Sequence, residues 1–117
     1  MVSSRFRRRI AVGLISAAFV IPAASASAAV VKGDGTRWRP ARTDIARGGS
    51  VRWKAVLGNH VVQAYGGNWT YHHRIDQGER TKLRTFNRRG TFRFYCTIHG
   101  SVAGGTCTGM CGKIVFG

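Results

Sequence analysis

Residues 92–116 constrain the fold of this chain more than any other stretch. They open with Phe-Arg-Phe-Tyr-Cys, which in extended form puts Phe92, Phe94 and Cys96 on one face and Arg93 and Tyr95 on the other. Such a strand needs a second apolar layer over its aromatic face, and its last inward side chain is a thiol. The stretch then runs through Thr-Ile-His and a glycine-rich segment into Gly-Met-Cys-Gly-Lys-Ile-Val-Phe, a second apolar run. Two strands joined by a donor-bearing loop are predicted. Cys96, His99 and Met110 offer a thiolate, an imidazole and a thioether, donors that suit copper better than magnesium or calcium.

A second imidazole would complete a soft trigonal set with an axial thioether. A lone histidine is ordinarily a core or surface residue, but His60 opens the apolar run His-Val-Val just after a Gly-Asn turn signal. The order His60, Cys96, His99, Met110, with Tyr-Cys closing a strand, Cys-x2-His and Gly-Met-x-Gly before the last strand, resembles the small blue copper proteins. The resemblance is to the plastocyanin/amicyanin branch of the cupredoxins. It implies a Greek-key β-sandwich, one type 1 copper at its end bound by these four residues, and transfer of single electrons by way of the His99 edge.

One departure from that pattern is plain. The family's loops place the methionine about five residues after the histidine, whereas Met110 lies eleven positions beyond His99 (110 − 99), and the insertion carries Cys107, with Cys111 following Met110. Three cysteines in an exported chain fit one ligand and one pair, so a Cys107–Cys111 disulfide bracketing Met110 is predicted. The alternative uses Cys107 or Cys111 as further thiolate ligands, in a site suited to Cu(I) storage or to zinc.

Export is read from the N-terminus. Arg5, Arg7, Arg8 and Arg9 precede an apolar segment at residues 10–21, and Ala24-Ser25-Ala26 or Ala26-Ser27-Ala28 offers a cleavage site. The apolar segment is too short to span a bilayer, and Pro22 interrupts its extension. Residues 1–28 are therefore expected to be a signal peptide and 29–117 one small domain, placed outside the cell, at its surface or in a periplasm. Removing four arginines from the 19 Lys and Arg leaves 15, against four acidic residues, a balance of +11. No recognition helix gathers these cations, so nucleic acid is not an expected partner. An acidic redox protein or an anionic wall or membrane surface is.

The body of the domain reads as all-β. Val30 and Val31 begin a strand that Gly33-Asp34-Gly35 is expected to break, and Val51 to Ala55 alternates with period two. His60 to Ala64 is a further strand, residues 65–78 are turn-rich, and Thr81 to Phe86 alternates again. His72 and His73 are adjacent and at least one is expected in an exposed loop. Neither a Ser/His/Asp set nor a paired carboxylate is apparent, so an enzyme is not expected. An exported electron carrier, monomeric by default for fast partner exchange, is the reading adopted. The alternatives are a copper storage, delivery or tolerance protein and a metal-free adhesion module.

Overall fold

A computed structural model describes residues 28–117; the signal-peptide expectation falls almost wholly on residues 1–27, outside the described part. The described residues form nine strands and no helix. One sheet orders β2 (Arg37–Arg39), β1 (Ala28–Asp34), β4 (Ser50–Leu57) and β7 (Arg84–Thr85). The other orders β3 (Arg42–Ile45), β9 (Thr106–Phe116), β8 (Gly90–Ala103), β5 (His60–Tyr65) and β6 (His72–Ile75). The β1/β4 and β3/β9 pairs are parallel and the rest antiparallel.

Period-two patterning produces the two layers. On β4 Val51, Trp53 and Ala55 are fully buried while Lys54 between them is exposed, and on β8 Phe92, Phe94 and Cys96 point the same way. The sheets meet through these side chains, with the Trp53 and Phe94 rings edge to face at 5.4 Å. Trp69, Phe86, Phe92 and Ile114 extend the layer and Trp38 closes one end against Phe94. Burying side chains of this size supplies the driving force of a small sandwich, roughly 1.5–3 kcal/mol each.

Three local expectations change. First, β1 runs through Gly33 to Asp34, and the turn begins only at Gly35, whose φ is +68°. Second, within residues 81–86 only Arg84 and Thr85 pair as a strand, because the Thr81 hydroxyl accepts from the Trp53 N–H at 3.1 Å and so stands in for a ladder partner of β4. Phe86 and Thr81 nevertheless stay buried. Third, the turn-rich segment 65–78 contains β6, which places His72 and His73 in a strand at the sheet edge, both exposed.

A larger difference lies between His99 and Met110. The expected loop is a continuation of the hairpin: Gly100 pairs with Gly109, Ser101 with Thr108, Val102 with Cys107 and Ala103 with Thr106, around a turn at Gly104 and Gly105. The extra residues run out and back, so the ends of the insertion meet and Met110 lies across from the His99 region. Its length therefore adds reach beyond the sandwich without moving Met110 away.

Candidate metal centre

The site forms where regular β pairing stops for a few residues. Tyr95 faces Cys111 and Gly100 faces Gly109, so Cys96, Thr97, Ile98 and His99 on β8 are opposed by Met110 alone on β9. This is an enlarged bulge, a device that re-aims side chains at the end of a sheet. Cys96 keeps the inward direction set by the strand and is fully buried, and His99, three residues on, turns back toward it and is half-buried. Met110 is fully buried in the same cluster as Cys96.

His60 reaches the bulge from β5. The turn before it is held from two sides: the Gln77 amide oxygen accepts from the Gly58 N–H at 2.8 Å, and the Asn59 side-chain oxygen accepts from the Gln77 N–H at 2.9 Å. His60 is fully buried, and its Nε2 lies 2.8 Å from the Leu57 carbonyl oxygen. A carbonyl can only accept, so Nε2 carries the proton and Nδ1 offers its lone pair to the interior. That nitrogen faces the thiol.

Cys96 Sγ lies 3.8 Å from His60 Nδ1 and 3.6 Å from His99 Nδ1. Metal bonds of about 2.3 Å to sulfur and about 2.05 Å to imidazole nitrogen, opened to between roughly 109° and 120°, separate the donor atoms by about 3.5–3.8 Å. The three side chains thus leave room for one ion at ordinary bond lengths. Among the described residues this is the only group of three or more His, Cys, Asp or Glu so placed, with donor atoms all within 4.8 Å of one another. The Val61 N–H also points at the sulfur, at 3.4 Å, and so helps fix its position.

Cys107 and Cys111 form a disulfide, leaving Cys96 as the free cysteine. Use of either as an additional thiolate ligand is thereby set aside. Their Cα atoms are 6.1 Å apart across four positions, where an extended strand would span about 13 Å. The chain must bend between them, and it does so at Gly109, whose φ of +90° suits glycine. The disulfide therefore clips the bend that carries Met110.

Gly33 escaped the sequence reading as part of the site. A Cβ there would come within 2.6 Å of His60 Cδ2 and 3.1 Å of Nε2, so the bare backbone of β1 forms the wall against which the imidazole rests. The available signal was a glycine inside a strand, which often marks close approach. Trp38 flanks the same ring at 5.6 Å between centroids. His72 and His73 lie apart from this centre; His72 Nδ1 is 2.6 Å from the Gln63 side-chain oxygen, and the His73 ring lies 5.2 Å from that of Tyr71.

Solved structures resemble this fold. The reduced state of an amicyanin mutant superposes with a TM-score of 0.61 at 22% identity, over 77% of this chain and 82% of that one. A purple cupredoxin from Nitrosopumilus maritimus gives 0.59 at 16% identity, over 76% and 99%. The fold is that of the cupredoxins. Part of a copper-containing nitrite reductase from Thermus scotoductus SA-01 also superposes, with a TM-score of 0.65 at 19% identity over 84% of this chain but 24% of its own. No protein-family model and no curated protein sequence matches the chain. The expected all-β sandwich thus stands, and its His-Cys-His group is one that could hold a single copper ion.

Proposed function

We propose that the chain is an exported type 1 copper protein that carries single electrons between redox proteins. The observation that carries this is one buried thiol flanked by two imidazole nitrogens at 3.8 and 3.6 Å. In this proposal His60, Cys96 and His99 would hold the copper, with Met110 as the fourth donor, a set that would serve both copper oxidation states. Copper, when bound, supplies a one-electron couple. The protein supplies a rigid frame: the Leu57 carbonyl and Gly33 fix the His60 ring, the Val61 N–H holds the sulfur, and the clipped bend holds Met110.

Two features favour a carrier over the alternatives. The single free thiol argues against thiol-rich storage. Each of the four Asp and Glu side chains already has a partner, Asp34 with Arg39, Asp44 with Arg42, Asp76 with Arg74, and Glu79 accepting from the Asp76 N–H, an arrangement that does not favour catalysis by a carboxylate pair. Half-buried His99 gives the electron a short path out, and Ile98 and Leu57, about half exposed beside the site residues, offer apolar surface for a partner's approach.

Replacement of Cys96 by Ser tests the proposal. The variant is expected to lose the intense visible thiolate-to-copper band while retaining the sandwich by circular dichroism. A variant that stayed blue would remove Cys96 from the site.

A further inference from the structure

The outward face of the five-stranded sheet carries a charge pattern that the copper site does not use. The strand register sets Tyr65 beside Arg93, Arg93 beside Lys113 and Lys113 beside Arg42, a single row across β5, β8, β9 and β3. Neighbouring strands are about 4.8 Å apart, and like charges directly opposite one another are unfavourable. Arg42 is compensated by Asp44 at 3.0 Å. Arg93 and Lys113 have no ion-pair partner among the described residues.

These two cations border a groove of about 520 Å³, together with Ala41, Tyr65, Cys107 and Cys111. No carboxylate lines it. The disulfide thus forms part of the wall of a cavity whose uncompensated charge is positive, with both cysteines half-buried. Met110 lies on the opposite, inward side of the same strand.

We propose that this groove is a thiol–disulfide exchange site for a small anionic thiol, seated by Arg93 and Lys113 against the Cys107–Cys111 bond. The thiolate of the ligand attacks one sulfur, forming a mixed disulfide and expelling the other cysteine as thiolate. A second ligand thiolate then attacks the mixed disulfide, releasing the oxidised ligand dimer and the second cysteine thiolate. Two electrons pass to the protein pair, and solvent supplies the two protons that the cysteines take up. Reduction opens the clip on the bend that carries Met110. That consequence rests on the copper assignment, whereas the exchange itself does not.

The test uses the full chain without added copper. Its reduction by mercaptosuccinate, a dianionic thiol, is compared with reduction by neutral 2-mercaptoethanol, each corrected for thiolate fraction and for its rate on a small neutral disulfide. Progress is read as the rise from one free thiol to three. A preference for the anion on the order of tenfold, fading with added salt, is expected. In Arg93→Gln/Lys113→Gln that preference falls toward unity, and in the remote control Lys82→Gln/Arg89→Gln it persists, with both variants folded by near-ultraviolet circular dichroism. Absence of any preference in the unaltered chain would overturn the proposal, as would resistance of the folded pair to both thiols. An equal loss in the control would assign the attraction to net charge and overturn it too.

Discussion

At Gly33 a methyl group has nowhere to go, since its carbon would stand 2.6 Å from the His60 ring and the ring is pinned behind by the Leu57 carbonyl. Gly33→Ala is therefore expected to rotate or displace the imidazole and to weaken Cu(II) binding by roughly 10- to 100-fold, the range for lost support of a metal ligand. Titration with Cu(II) and the copper hyperfine splitting check this; unchanged affinity and spectrum would show that the wall does not position His60. In the sequence Gly33 reads as turn punctuation beside Gly35, because the residue that needs its missing side chain lies 27 positions away (60 − 33). The donors themselves are easier to read. Thiol, imidazole and thioether chemistry belongs to residue type and survives without coordinates, but the 3.6 and 3.8 Å spacings that make a site of them do not.

Hairpin β8/β9 shows what becomes legible at the scale of an element. Phe92 to Cys96 is plain from alternation, yet residues 100–109 carry glycines and threonines in place of an apolar period, and only pairing across the hairpin makes them strand. The same pairing accounts for the eleven-residue spacing of His99 and Met110. Because the Cys107–Cys111 loop is short, the disulfide constrains the unfolded chain little. Its removal in Cys107→Ser/Cys111→Ser is expected to cost about 2 kcal/mol in urea unfolding. The larger expected effect is local, a shifted visible band of the copper-loaded variant as Met110 loosens. A variant with wild-type colour and a far greater loss of stability would reverse that assignment of roles.

The connection into β6 carries a pH dependence of its own. Tyr71 stacks on Trp69 at 5.7 Å, and burial raises its phenol above the ordinary value of 10.0, against the opposing pull of a Thr81 hydrogen bond and the Arg84 charge. The folded state thus favours the neutral phenol. Its contribution is complete below the unfolded value near pH 10 and is lost as pH rises through the higher folded value. Tyr71→Phe is expected to flatten the alkaline decline of stability above about pH 10, measured as melting temperature against pH, with an unaltered decline contradicting the role given to Tyr71.

For the molecule as a whole, the two-layer architecture was accessible from short alternating strands, while strand order was not. Nothing local tells β1 to run parallel to β4 or β3 to β9; those pairings arise from packing two aromatic faces together. The +11 balance of the described residues is a molecular property as well. Electron exchange with an acidic redox protein is expected to slow as ionic strength rises from about 0.01 M to about 0.15 M, since the screening length falls from about 30 Å to about 8 Å. A salt-independent rate would remove charge steering from the proposal. The central claim, one thiolate and two imidazoles around a single copper, is tested most directly by the visible and EPR spectra of the chain after one equivalent of Cu(II). An intense blue band with narrow copper hyperfine splitting, on a protein that shows one free thiol beforehand, is the predicted result. A colourless sample with an ordinary tetragonal copper spectrum would contradict it.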